Sequence, residues 1–348
     1  MDVTHLGPLL GTEMPREGGE IVLLGLPYIL RDGVLRLRAA ASDSQEQTRD
    51  AFGYKWAKHD TYASEAMHRA NREWLLSRYG DVAELLAGLP GRPLFLDAGC
   101  GAAYSTLLLF PPEFLARTRY VGVDISSAVD EAAQRFSQKG LPGEFMQADI
   151  GRLPFPESSL DVVFSEGVMH HTDSTEHTLK HLAKLLRPGG LFLFYVYRRK
   201  GPIREFTDDF IRARLQGLPP AEAWELLRPL TALGKQLGEM DSVIEVPEDI
   251  SLLDIPAGPI PLQRFIYWHV FKAFYRPDMT LEEMLHINFD WYAPRNAHRQ
   301  SPEEVRQWCA EAGLDIQRET IEPAGITVVA RKAAAPRAGQ PGGSNDAG

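Results

Sequence analysis

The chain has little with which to staple itself covalently or to hold a metal through thiolates. Two cysteines, Cys100 and Cys309, stand among 348 residues, too few for a disulfide framework or a cysteine-rich zinc site. No metal is expected. Basic residues are also in deficit: 37 Lys and Arg face 47 Asp and Glu, a formal charge of −10. Affinity for a phosphate backbone comes largely from Lys and Arg neutralising charge, so nucleic acid is not an expected partner. No apolar run approaches the roughly 20 residues that a membrane-spanning helix needs. Residues 1–20 are polar and rich in Gly and Pro, without the basic start and apolar stretch of a secretory signal. A soluble cytoplasmic protein with no membrane partner is the expectation, long enough for one elaborated domain or two.

What is present is an ordered series of strands ending in acids. Leu94-Phe95-Leu96-Asp97-Ala98-Gly99-Cys100-Gly101-Ala102-Ala103 reads as an apolar strand, a carboxylate and then a Gly-x-Gly turn. Glycine lets backbone take positive φ and lets a ligand approach with no Cβ in the way. Tyr120-Val121-Gly122-Val123-Asp124 is a second strand ending in an acid, about 20 residues past the glycines, where a nucleotide-binding α/β unit places the carboxylate that holds a ribose diol. A third acid, Asp149, follows Phe145-Met146-Gln147-Ala148. A fourth strand, Leu160 to Glu166, opens into Gly167-Val168-Met169-His170-His171. Arg187-Pro188-Gly189-Gly190 then stops a helix before the run Leu191 to Tyr197.

Taken together these motifs resemble those of the class I S-adenosylmethionine-dependent methyltransferases. The resemblance covers roughly residues 94–197 and resumes near 302–331. It implies an α/β fold: a Rossmann-like seven-stranded sheet with helices on both faces, here with a largely helical insertion after strand five. It implies S-adenosylmethionine as cofactor. Carried over, it puts Asp97, Gly99 and Gly101 at the methionine end, Asp124 on the ribose, Ile125 on the adenine, Asp149 at the adenine amino group with Ile150 beside it, and Ser165 and Glu166 beside the sulfonium. Ala103 stands where many relatives have a third glycine, a departure of little cost if φ is negative. A dinucleotide site wants Gly-x-Gly-x-x-Gly, and Tyr104 fills the last of those positions. A fold retained without cofactor binding is the other alternative.

The residues divide the chain into an N-terminal arm (1–47), a methyltransferase core (48–197), a helical substrate-binding insertion (198–300), a closing helix and hairpin (301–332) and a tail (333–348) whose composition predicts disorder. In the arm, residues 21–38 alternate apolar and polar around Asp32-Gly33, a hairpin signal. That stretch resembles the end of a zinc-ribbon-like segment lacking its metal-binding cysteines. Residues 39–47 suit a linker. The insertion carries helical patterns at 203–215, 221–238 and 262–275, the last apolar on nearly all sides and therefore predicted buried, with a membrane-surface helix as rival. Ser301-Pro302-Glu303-Glu304 is a capping-box start for the closing helix.

For chemistry, His170 and His171 leave the fourth strand beside the expected sulfonium, with Thr172 or Asp173 able to cap the next helix. They read as a general base for a hydroxyl or acidic carbon, or as side chains that shape the pocket rim. Tyr54 and Trp56 read as an aromatic lid over the cofactor or as packing. Trp291, Tyr292, Arg295 and His298 mix aromatic and cationic groups before the closing helix and would suit an anionic small-molecule acceptor, whereas Arg198, Arg199 and Lys200 read as solvated surface charge. The expected function is methylation of a small molecule at oxygen or carbon. The alternatives are a non-catalytic scaffold and a protein methyltransferase.

Overall fold

The computed structural model describes residues 6–38, 42–89 and 91–334. Twelve strands are named here in chain order: β1 (Glu20–Leu23), β2 (Leu26–Arg31), β3 (Val34–Leu37), β4 (Leu94–Ala98), β5 (Arg119–Asp124), β6 (Glu144–Gln147), β7 (Leu160–Glu166), β8 (Leu186–Tyr197), β9 (Val243–Val246), β10 (Gly258–Pro261), β11 (Leu314–Ile321) and β12 (Gly325–Lys332). Ten of them form one sheet in the order β1-β2-β3-β6-β5-β4-β7-β8-β12-β11. β3 through β8 run parallel where they pair, and β12 enters antiparallel between β8 and β11.

The expected seven strands are the stretch from β6 to β11. Three more join because the N-terminal hairpin docks on the sheet edge, with Leu35 paired to Met146 and Arg36 to Gln147. That hairpin turns at Asp32 (φ 54°) and Gly33 (φ 70°), the mirror-type turn whose twist suits flanking strands. Docking follows from sequence: Tyr28, Leu30 and Leu35 put apolar faces into the core, and an unpaired β6 edge would leave backbone groups without partners.

The central strands are apolar on both faces because helices cover both. One layer buries Leu96, Val163, Phe194 and Leu182; the other buries Phe95, Tyr120, Phe136 and Phe164. Ser301 caps the helix Pro302–Glu311 through a capping box with Glu304, as its sequence predicts. Ser174, rather than Thr172 or Asp173, caps the helix Thr175–Leu185.

The segment after β8 forms the helices Pro202–Leu215, Pro220–Glu239, Leu262–His269 and Leu281–Tyr292 with a β9–β10 ribbon. Two expectations need correction. The pattern at 262–275 yields a helix that ends at His269 and is only half-buried, Gln263 and Tyr267 being its buried side chains, because its aromatic face borders a cavity instead of a core. The linker expected at 39–47 gives way to the helix Asp43–Trp56, which Ser42 caps through its hydroxyl to the amide of Gln45. Residues 39–41 lie outside the described residues, as does the tail from 335 to 348. The helix Asp43–Trp56 packs with the post-β8 helices around Trp224, Leu285, Phe289 and Trp291, above Tyr195 and Tyr197 at the end of β8. This second core roofs the carboxyl ends of the strands, where open α/β sheets bind ligands. Among the described residues, no helix is long and apolar enough to cross a membrane.

Candidate active site

The roof and the strand ends enclose a cavity of about 600 Å³, within the range of small-molecule sites. Asp97, Asp124 and Asp149, from the ends of β4, β5 and β6, all line it, with Gly99, Gly101, Ile125 and Ile150. Asp97 receives the hydroxyls of Thr106 and Tyr120 on one oxygen, Tyr120 at 2.7 Å, and no cation pairs with it among the described residues. Burial pushes its carboxyl up to about 7. Asp124 accepts the Gly101 amide at 2.8 Å and the Ser126 amide and hydroxyl at 2.8 and 2.6 Å, tying the glycine turn to β5. Asp149 accepts the Gly151 amide at 2.8 Å on one oxygen, and its second oxygen has no hydrogen-bond partner among the described residues. Burial raises the carboxyls of both.

Gly99 (φ 86°) and Gly101 (φ 50°) are needed for backbone shape and for room. A Cβ on Gly99 would stand 2.2 Å from the Val168 side chain, and one on Gly101 would stand 2.9 Å from the Trp56 indole. Ala103 departs from expectation: its φ is +55°, so this alanine sits in the left-handed region instead of the cheap negative one.

Glu166 lines the cavity but is tightly held, by the Arg78 guanidinium at 2.5 Å and the Tyr79 hydroxyl at 2.5 Å. Arg78 stacks on Trp74 at 3.4 Å. Ser165 lies elsewhere: it is buried, and its hydroxyl donates to the Ala98 carbonyl at 2.9 Å, joining β7 to β4. The histidine pair separates in the same way. His171 lines the cavity, donates from Nδ1 to the Asn296 carbonyl at 2.6 Å, and keeps a buried Nε2 with no partner among the described residues. Burial lowers it to about 4, against the attraction of Asp290. His170 is 0% exposed and absent from the cavity wall, stacked 3.6 Å from the Tyr197 ring and accepting the Tyr197 amide at 3.3 Å.

Of the aromatic and cationic residues expected to meet an acceptor, Trp56 and Trp291 line the cavity. Tyr54 packs edge-on against Trp224, and the buried Tyr292 hydroxyl donates to Asp208 at 2.8 Å. Arg295 and His298 are exposed, the latter donating to the Thr172 carbonyl at 3.0 Å. Their place on the cavity wall is taken by Lys200, Arg204, Arg264 and Lys272, with Tyr267, Trp268 and Phe274. Sequence reading assigned Lys200 to solvent, yet its ammonium donates to the carbonyls of Arg198 and Ala324 at 2.7 and 2.8 Å. A further pair, Lys55 and Asp290, forms an ion pair on the wall, and the Tyr197 hydroxyl donates to the same acid at 2.8 Å. Nothing in the local sequence around Lys55 or Lys272 marks them, since the partners come from helices far along the chain.

A doubly wound sheet whose three successive strand ends put acids and a glycine turn into one cavity defines a nucleotide-type ligand-binding domain. Residues 96–194 match a family model described as "Methyltransferase domain". The chain thus carries a class I S-adenosylmethionine-dependent methyltransferase domain. Over 125 residues it is 34% identical to phthiotriol/phenolphthiotriol dimycocerosates methyltransferase of Mycobacterium leprae, covering 36% of this chain and 43% of the relative. Over 156 residues it is 31% identical to fatty-acid O-methyltransferase of Mycolicibacterium smegmatis, covering 43% and 53%. The chain spans about half the length of the curated relatives it matches. Among solved structures, 1,6-didemethyltoxoflavin-N1-methyltransferase of Burkholderia thailandensis aligns over 90% of this chain and 98% of that one, with a TM-score of 0.45 and 17% identity.

Proposed function

We propose that this protein is a cytoplasmic S-adenosylmethionine-dependent methyltransferase that acts on a small, negatively charged molecule, with oxygen or carbon as the accepting atom. The observation that carries the reading is the sharing of one cavity by the three strand-end acids, His171 and the aromatic and cationic wall of the post-β8 helices. The net charge of −10 speaks against nucleic acid. A volume of about 600 Å³ suits a small acceptor.

The residues present fit the cofactor. Asp97 is a buried acid lacking a cation, which suits an amino-acid ammonium. Asp124 suits a ribose diol, Ile125 and Ile150 an adenine face, and Asp149 an exocyclic amine through its unbonded oxygen. When bound, S-adenosylmethionine supplies a methyl group on a positively charged sulfur. The chain's own residues do the rest. Trp56 and Tyr62 from the N-terminal region put aromatic rings on the cavity wall and help exclude water. Glu166, fixed by Arg78 and Tyr79, puts a carboxylate on the same wall with its charge answered by Arg78. His171 would take the proton from an acceptor hydroxyl or acidic carbon: its Nδ1–H is committed to Asn296, so the buried Nε2 carries the lone pair and is to be uncovered as the acceptor enters. Most of the rate comes from holding the acceptor in line, a task for the 198–300 segment.

Calorimetric titration with S-adenosylmethionine tests the reading. Binding in the wild type that weakens at least tenfold in Asp124→Ala supports it. No binding in the wild type, or equal affinity in the variant, overturns it.

A further inference from the structure

We propose that the acceptor carries a carboxylate and is anchored through it by Lys272, with Arg264 as second contact. The inference rests on the cavity being the acceptor site. Lys272 is 7% exposed and lines the cavity. Its backbone is fixed, the amide donating to the Tyr292 hydroxyl at 2.8 Å. Its ammonium makes no hydrogen bond or ion pair among the described residues and lies 5.1 Å from the centre of the Trp291 ring.

The neighbouring charges are already answered. Asp208 takes Arg204 at 2.7 Å, the Trp291 indole N–H at 2.8 Å and the Tyr292 hydroxyl at 2.8 Å. Asp290 takes Lys55 and the Tyr197 hydroxyl. Lys200 is bonded to carbonyls, and Arg212 donates to the Trp291 carbonyl at 2.6 and 3.0 Å. Among the described residues, Lys272 is therefore the buried cation of this wall left without a polar partner. A desolvated ammonium facing a cavity is costly unless an anion comes to it. Arg264 also lines the cavity and makes no hydrogen bond among the described residues, its guanidinium 5.5 Å from the Tyr267 ring.

The chemistry around this pair favours a monoanion with an apolar body. Two cations on the cavity lining, one ammonium and one guanidinium, suit the single charge of a carboxylate, while a phosphate dianion would call for more free donors. Tyr267, Trp268, Phe274 and Ile287 supply apolar and aromatic surface on the same wall.

The test uses the full chain saturated with S-adenosylhomocysteine and titrated with octanoate, 4-phenylbutyrate and indole-3-acetate, each beside its primary amide, and with phenyl phosphate. At least one carboxylate should bind tenfold or more tightly than its amide. Lys272→Met should abolish that preference, Lys272→Arg should retain it, and Arg264→Met should weaken carboxylate binding several-fold. Unchanged S-adenosylhomocysteine affinity in Lys272→Met shows that the fold is intact. No carboxylate preference across the panel, a preference that survives Lys272→Met, or stronger Lys272-dependent binding of phenyl phosphate would each overturn the proposal. Failure of the wild type to bind S-adenosylhomocysteine would instead strike the methyl-transfer reading beneath it.

Discussion

His171 and Asn296 lie 125 positions apart, yet the histidine Nδ1 donates to the Asn296 carbonyl at 2.6 Å. A carbonyl can only accept, so this bond leaves the Nε2 lone pair on the ring that lines the cavity. His171→Ala should lower kcat by about 10²–10⁴-fold with a hydroxyl or carbon acceptor, with little change in cofactor affinity. His170→Ala should retain far more turnover but unfold more easily, because it empties space stacked against Tyr197. Equal kinetic losses in the two variants would refute the division of roles. Since burial lowers His171 from 6.5 to about 4, the unfolded chain binds the extra proton first. Stability from this residue is present above 6.5 and is lost as pH falls toward 4.

Asp97 gives the opposite slope. Its carboxyl is raised from 3.8 to about 7, so between those values the folded chain holds the proton, and the stability it contributes is lost as pH rises. Without cofactor, Asp97→Asn should be more stable than the wild type at pH 8 by on the order of 1–3 kcal/mol, since the amide oxygen still accepts from Thr106 and Tyr120 with no buried charge. The same variant should bind S-adenosylmethionine at least tenfold more weakly, for loss of a charge-assisted contact. Thermal melts across pH and calorimetry read the two effects separately.

Ala103 balances two terms. The left-handed backbone costs a Cβ roughly 1–2 kcal/mol, while its fully buried methyl returns about 0.8 kcal/mol and spares the chain a glycine's entropy. Ala103→Gly should therefore change stability by less than about 1 kcal/mol. Ala103→Val, β-branched in the same conformation, should destabilise by about 2–3 kcal/mol or more. Chemical denaturation of both variants checks this.

Asp290 answers Lys55 inside the wall, and that attraction holds its carboxyl well below the usual range despite burial. Asp290→Asn should cost about 3 kcal/mol, much of it from stranding the Lys55 charge. The double variant with Lys55→Met should recover at least about 1 kcal/mol of the summed losses in a double-mutant cycle.

Burial lowers Lys272 to about 7, with Arg204 and Arg212 opposing protonation and Asp290 and Asp208 favouring it; Lys200 stands on the same wall. Only the protonated form attracts an anion. Carboxylate affinity in the anchoring experiment should weaken as pH rises from 7 to 9, approaching tenfold per unit until the complex itself titrates. A flat profile would contradict a titrating anchor.

The parallel strands from β4 onward were legible because each is a short apolar run ending in an acid or a glycine turn, a local pattern tied to the backbone's own geometry. Asp97, Asp124, Asp149, Gly99 and Gly101 fall where that pattern puts them, on one cavity. The hairpin at Asp32-Gly33 and the Ser301 cap were legible for the same reason: their partners lie within a few residues. The reach of the sheet was not, since docking β3 on β6 joins residues 111 apart.

What sequence alone determined is the strand-end side of the cavity, where each strand delivers its own terminal residue to a fixed edge. The tertiary structure decided the roof side. Which histidine faces the cavity depends on Asn296; Arg295 and His298 turn outward while Lys200 and Lys272 turn in; and Ser165 spends its hydroxyl on Ala98. The physical reason is distance along the chain. A strand's periodicity fixes its own side chains, but a helix packed across the roof meets partners from elsewhere in the chain, and only their joint packing decides which charges are answered and which remain free for a ligand.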